Sequence, residues 1–358
     1  MRSRVSGVGL IAGLCLLLLS GIAAGAVWGT TDLPLTSVWR ALYLGLSGHD
    51  LHPGSAEIII WHIRLPRPIL AAVVGAGLGL VGVAVQALVR NPLADPYLLG
   101  TSAGASLGTT CLLVFGGSAL ATATSSTLTF SLLPALAAFL GALLALILVW
   151  LCTSALGGFN TVAAPAGDPL TLILAGVAVG QLFSAATSFL VLRTDQQEQT
   201  RSVLYWLMGS LAGATWPQIP ITLGVTLLGG IILFGLAKKL NALLLGDETA
   251  LAVGVHPGSV RTSVFLVTSL MTGAIVAVSG AIGFVGLLIP HLGRFLVGAN
   301  HRVLLPISAA LGATLLVWVD VLCRVAAQTV GQELPINVLT AVLGAPLLLL
   351  LLARKRKP

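Results

Sequence analysis

Asp247 and Glu248 stand side by side in the stretch KKLNALLLGDETALAVGVHPGSVR, residues 238–261, which interrupts two long apolar blocks. They are two of only 11 acidic residues in a chain of 358. Paired acids in the first turn of a helix cap it and favour its dipole. Leu240, Leu243 and Leu244 repeat at helical spacing, Gly246 stops that turn, and Asp247 reads as the N-cap of a second short helix ending near Val253. Gly254 suits the C′ position, and Pro257 keeps the chain from continuing as helix. Two short helices meeting at a sharp corner, flanked by Lys238, Lys239 and Arg261, suit a membrane surface rather than its interior. The residues alone leave two readings of the corner, a plain interfacial loop or a docking element.

The remaining chemistry-bearing residues are sparse. Arg64, Arg67 and Arg324 fall at the ends of apolar runs, where arginine can grip a carboxylate bidentately or anchor a helix by snorkelling. Asp320 precedes Arg324 by one turn and can pair with it. His49, His52 and His62 form no helical pair, and His291 and Arg294, in PHLGR, read as loop or packing residues rather than metal ligands. Cys15, Cys111, Cys152 and Cys323 are isolated within apolar runs, so neither a disulfide framework nor zinc spacing is present. Gly77, Gly79 and Gly82 match the letters of a dinucleotide fingerprint, but they lie mid-span with no preceding strand. No phosphate-binding Gly-x-x-x-x-Gly-Lys-Ser/Thr loop occurs, and no nucleophile is paired with a base.

These residues must be positioned by membrane helices. Hydrophobic residues make up 57% of the sequence and charged residues 8%, far too little charge to cover a soluble domain. The apolar blocks are about twenty residues long, helix length rather than barrel-strand length. The N-terminus resembles a secretory signal, but its apolar run continues from Val5 to Trp28 and we read it as the first span. Further spans are expected at Arg64–Val89, Tyr97–Phe115, Ser131–Thr153, Pro169–Leu192, Pro217–Ala237, Thr262–Ser279, Ala281–Val297, Leu304–Cys323 and Pro335–Ala353. LTSVWRALYLG reads as a short helix lying on the membrane, and the block from Val203 to Ala214 is too short to cross.

Ten spans place both termini on one side. A cytoplasmic assignment puts Arg2, Arg4, Arg90, Lys238, Lys239, Arg261, Arg294, Arg302, Arg354, Lys355, Arg356 and Lys357 inside, against Arg40, Arg64, Arg67, Arg193, Arg201 and Arg324 outside. That asymmetry obeys the positive-inside rule and makes the corner cytoplasmic. The net charge of +7 therefore reports topology and not nucleic-acid binding. Gly75 and Gly79, and Gly100, Gly104 and Gly108, have the small-xxx-small spacing that lets helices approach closely in lipid.

Several stretches resemble one family in both motif and order. RLPRPILAAVVGAGLGLVGVAVQALVRNPLADPYLLGTSAGASLG is similar to the start of the iron-chelate and vitamin B12 permeases of bacterial ABC importers, the FecCD-type permeases. LLGDETALAVGV resembles their cytoplasmic ATPase-seating loop, and SGAIGFVGLLIPHLGRFLVGANHRVLLPISAALGA and ELPINVLTAVLGAPLLLLLL resemble their later segments. The likeness runs from about Trp61 to the end; residues 29–61 align with little.

The resemblance implies an all-α polytopic fold of about ten helices, vitamin B12 permease-like, with residues 1–358 forming a single transmembrane permease domain. It implies a homodimer with the path at its interface, two ATP-binding cassette subunits beneath it and a solute-binding protein outside. No cofactor is expected on this chain, which is no enzyme; ATP is used by the partner. By the same resemblance, Arg64, Arg67 and Arg324 receive acids of the binding protein. Leu245, Gly246, Asp247, Glu248, Ala250 and Gly254 belong to the ATPase-coupling loop at 238–261, and Asn91, Leu93, Asp168 and Thr171 lie near a cytoplasmic gate. The competing class, an ion-coupled secondary transporter, usually buries carboxylates mid-span. Here only Asp320, near a span end, and Asp168, at a boundary, come close.

Overall fold

The computed structural model describes residues 7–29, 33–48, 55–116, 127–156, 169–193 and 203–355. His49, His52 and the gate candidate Asp168 lie outside the described residues, as do Arg2, Arg4, Arg201, Arg356 and Lys357.

Among the described residues every regular element is helical. The N-terminal span is α1 (Gly7–Val27), and α2 (Leu35–Leu46) is the short amphipathic helix expected at the surface. A brief α3 (Ala56–Ile58) runs through a π-helical turn (Ile59–Arg64) into α4 (Pro66–Val89). The second span therefore begins at Ala56, well before the expected entrance at Arg64, and forms one rod of 34 residues. Pro66 and Pro68 would leave carbonyls unpaired in an ordinary helix; the wider π-turn absorbs them, with the Leu65 N–H reaching the Ile60 carbonyl at 2.9 Å. A 3₁₀ turn (Pro96–Leu99) precedes α5 (Thr101–Phe115), followed by α6 (Thr127–Leu156) and α7 (Pro169–Leu192).

The second half holds α8 (Gln218–Gly235), the short α9 (Ala237–Leu243) and α10 (Asp247–Ala252), and α11 (Pro257–Ser279). It ends with α12 (Val285–Val297), α13 (His301–Val330) and α14 (Ile336–Lys355). Seven described helices are long and apolar enough to cross a membrane, and Thr101–Phe115, Val285–Val297 and Ile336–Leu349 are shorter apolar helices. The ninth expected span is longer than Leu304–Cys323: α13 has 30 residues, which places Arg324 inside the helix instead of at its end.

The bundle is built around α4, whose rod is 83% buried along its most apolar window, while that of α1 is only 22% buried. Leucines of α1 and α6 that would be buried in a soluble protein face outward, including Leu16, Leu19, Leu136 and Leu140. Lipid offers no hydrophobic drive for helix pairing, so close backbone packing has to supply it. On α4, a Cβ at Gly75 would collide with the Gly312 carbonyl of α13, and one at Gly79 with that of Ser308. The same meshing joins α5 to α6, where Gly104 meets Gly141 and Gly108 meets the Ala137 carbonyl. One layer thus centres on α4 and α13, the other on α5, α6 and α7, and α11 packs against both α4 and α6.

Candidate functional site

At one end of α4 the three predicted docking arginines are buried, with relative exposures of 5% for Arg64, 5% for Arg67 and 4% for Arg324. In the free chain all three are engaged by groups of the same chain. Arg67 Nε donates to Asp320 Oδ1 at 2.7 Å, and its Nη1 donates to Glu333 Oε2 at 2.9 Å. Arg324 Nη2 donates to the other Asp320 oxygen at 2.8 Å and its Nη1 to the Gly25 carbonyl at 2.7 Å. Arg64 Nη1 donates to the Val27 carbonyl at 2.5 Å. Asp320 is completely buried between two guanidiniums, an arrangement that satisfies its charge and joins α4, α13 and the end of α1. The one-turn pairing of Asp320 with Arg324 was readable from spacing; the pairing of Arg67 with Asp320 and Glu333 joins residues more than 250 positions apart and was not.

Midway, the chain breaks between α11 and α12. Gly280 and Phe284 both have positive φ, +63° and +67°, and the intervening peptide groups leave helical pairing. Irregular backbone at this depth must find partners inside the protein. The Tyr97 hydroxyl donates to the Ile282 carbonyl and accepts from the Ile282 N–H, each at 2.9 Å. Asn337 Oδ1 accepts from the Gly283 N–H at 2.9 Å, and the Ser210 N–H donates to the Ser279 carbonyl at 2.9 Å. Tyr97 and Asn337 escaped sequence reasoning; two glycines in the four residues after Ser279 were the available signal of a break.

Beside this break, α5 and α7 enclose a groove of about 410 Å³ lined by Ser102, Ser106, Gly176, Gln181, Ser184 and Ser188, among others. Among the described residues no charged side chain lines it. Small residues and hydroxyls let a solute touch the wall without a strong ionic grip.

The opposite end carries the polar corner. Leu240 and Leu243 of α9 are buried, whereas Leu245, Leu251 and Val253 are 71%, 53% and 65% exposed. Gly246, at φ +104°, is the N-cap of α10, so Asp247 occupies the first helical position rather than the expected cap. The Asp247 carboxylate is engaged elsewhere: Arg261 Nη2 donates to its two oxygens at 2.7 and 2.9 Å, and Arg90 donates to Oδ1 as well. Glu248 shares the first turn of α10. Ala250 is fully buried under the corner. Gly254 closes α10 as expected, at φ +76°, with its own N–H on the Leu251 carbonyl and the Val255 N–H on that of Ala250.

Arg90 ends α4 in the left-handed conformation, φ 52°. The following loop turns on Asn91, whose Oδ1 accepts from the Leu93 N–H at 2.9 Å, and leaves Leu93 40% exposed. Asp95 then caps the 3₁₀ turn through the Tyr97 N–H at 2.8 Å; burial pushes its carboxyl upward while that N–H pulls it back. Thr171 sits in the first turn of α7, half-buried. The ion pairs therefore bind the corner to the loop that carries Asn91 and Leu93, a link that spacing did not reveal. Among the described residues no group of three or more His, Cys, Asp or Glu could hold a metal ion.

A sequence profile described as the FecCD transport family matches residues 15–354. The chain is 39% identical over 300 residues to a cobalamin import system permease of Halobacterium salinarum, covering 84% of this chain and 74% of that protein. It is 36% identical to a molybdate import system permease of Haemophilus influenzae, covering 94% and 93% of the two chains. A hemin transport system permease of Yersinia pestis is also 36% identical, over 97% and 96%. A solved structure described as an inward-facing conformation of a metal-chelate type ABC transporter superposes with a TM-score of 0.77 at 34% identity, over 97% of this chain and 99% of that one. With the match spanning nearly every helix, the chain belongs to the FecCD transport family and is the membrane permease subunit of an ABC-type importer.

Proposed function

We propose that two copies of this chain form an import path for a bulky metal chelate, such as an iron chelate, haem or cobalamin, in a bacterial cytoplasmic membrane. The observation that carries this reading furthest is the charge-free groove between α5 and α7. A bulky chelate needs width and weak contacts, so selection falls to the binding protein. The named relatives carry cobalamin, molybdate and hemin at similar identities, so likeness alone does not choose among them.

In this reading the seven long helices and three shorter apolar ones give ten crossings, with both termini cytoplasmic. The corner at 238–261 seats a separate ATPase, which alone hydrolyses ATP; its outward Leu245, Leu251 and Val253 give the partner an apolar grip. Asn91, Leu93 and Thr171, with Asp168, form the cytoplasmic gate, and the ion pairs of Asp247 convey ATPase motion to it. The binding protein docks over Arg64, Arg67 and Arg324. Because Asp320 is inaccessible, a partner acid engages Arg67 by replacing Glu333, the more exposed of its two carboxylates at 37%.

The test is uptake into proteoliposomes containing the permease with its copurifying ATPase, with an iron hydroxamate, haemin, cobalamin and molybdate offered with their binding proteins. ATP-dependent uptake of a chelate is the expected result. Uptake of molybdate alone would reject the chelate assignment, and uptake driven by an ion gradient without an ATPase would reject the coupling mechanism.

A further inference from the structure

The inner ends of α4, α12 and α13 enclose a second cavity of about 290 Å³ next to the corner, lined by Gln86, Arg90, Arg294, His301, Leu244 and Leu304 together with smaller residues. It differs from the groove in charge. Arg294 donates to the neutral amide oxygen of Gln86, and among the described residues it forms no ion pair. Arg90 shares the single carboxylate of Asp247 with Arg261. The cavity thus holds two guanidiniums and, among the described residues, no carboxylate in its lining, and Glu248 forms no ion pair with either.

His301 is only 2% exposed. Its Nδ1 lies 2.6 Å from Asn241 Oδ1, which also accepts from the His301 N–H at 3.0 Å. That leaves Nε2 without a hydrogen-bond partner among the described residues. An excess of partly buried guanidinium charge is costly unless an anion accompanies it. The planar fork of arginine matches the oxygens of a phosphate group. The opposite wall, from Leu244 and Leu304, is apolar. Basic pockets between helix ends at a membrane surface hold lipid headgroups by this combination.

We propose that this cavity binds a phosphate group, supplied by the headgroup of an anionic phospholipid or as free phosphate. Arg294 is the principal donor, Arg90 closes the outer rim, and His301 Nε2 contributes a further polar contact. The inference rests on the placement of this end at a membrane surface and is independent of the transported solute.

The experiment uses the complete permease, with its ATPase where that remains bound, in detergent. Dioleoylphosphatidylglycerol, dioleoylphosphatidylcholine and inorganic phosphate are titrated separately, with retained ligand read by native mass spectrometry and protection by thermal unfolding. Phosphatidylglycerol should be retained over phosphatidylcholine, and Arg294→Gln should weaken it by about tenfold or more. Arg294→Lys should fall between, and Arg302→Gln, at an exposed site outside the cavity, should match the unmodified protein. Arg90→Gln supplies a second, milder reduction should Arg294→Gln fail to fold. Competition by inorganic phosphate would assign the site to the free anion; phosphatidylglycerol binding without that competition would assign it to lipid, and either supports the proposal. Equal retention of the two lipids with no effect of phosphate would overturn it. So would unchanged binding in a folded Arg294→Gln, or loss of ATPase assembly in that variant without any anion binding, which would give the arginine to a partner carboxylate. Solute uptake is not read, so failure here leaves the import reading standing.

Discussion

The two ends of the molecule each hold an arginine–aspartate–arginine triad, and they differ in solvation. At the end that the proposed topology turns outward, the outer end, Arg67, Asp320 and Arg324 are joined with Asp320 wholly buried. At the opposite end, inner in that topology, Arg90, Asp247 and Arg261 are joined with the Asp247 side chain 41% exposed. The chemistry is the same, yet the outer triad cannot lose a member without stranding a charge away from water. In the inner one Asp247 and Arg90 reach solvent, while the Arg261 side chain stays buried. A buried triad fixes helices against each other, whereas an exposed one provides a link that a docking partner can load and release.

Four changes would break or sharpen that contrast. The largest effect is expected from Asp320→Asn, which leaves the buried Arg324 guanidinium uncompensated and Arg67 with Glu333 alone, and should cost about 3–5 kcal/mol, read as a lowered unfolding midpoint in detergent. A loss below 1 kcal/mol would show that water reaches the outer triad. Replacing Arg67, Asp320 and Arg324 together by Met, Leu and Leu should return stability to within about 1 kcal/mol of the starting protein or above it, because the one charge left unpaired, Glu333, is 37% exposed. If the triple variant is as weak as Asp320→Asn, the network supplies specific bonding that packing cannot replace.

Asp247→Asn should cost about 1–2 kcal/mol, less than Asp320→Asn, since Asp247 and Arg90 reach solvent while the Arg261 side chain is only 3% exposed. Its effect should fall on coupling: ATP hydrolysed per solute imported should rise, with Asp247→Glu restoring the ratio. An unchanged ratio would reduce the inner triad to a surface ornament of the corner. The smallest effect is expected from Glu333→Gln, which frees one side of Arg67 and should tighten binding-protein association by about threefold at low salt. Surface plasmon resonance over a salt series would read it, and no change, or a weakening, would remove Arg67 from the docking surface.

Much of this architecture was legible because apolar length and glycine spacing are local signals. The helix at 35–46, the meshing of Gly75 and Gly79, and the turn that Gly254 closes all follow from neighbours within a few residues. The two short helices of the corner were legible for the same reason. What could not be read is set by distant contacts. Arginines at the ends of apolar runs read as docking groups or snorkelling anchors, and only the folded chain brings Arg67 to Asp320 and Glu333. Asp247 read as a helix cap because the cap is a local alternative; Arg90 and Arg261 outcompete it from two other helices. The hydrogen bonds of Tyr97 to Ile282 span 185 positions, and no periodicity announces them.

The meshed glycines have a mechanical consequence. Where Gly75 lies against Gly312 and Gly104 against Gly141, backbones touch with no side chains between them to act as bearings. Each pair behaves as one thick strut that resists sliding. Movement of one helix against another is then expected outside the struts, at joints such as the corner near Gly246, where an added Cβ would meet nothing within 4 Å, so that stiffness in the beams is what concentrates movement in the joints.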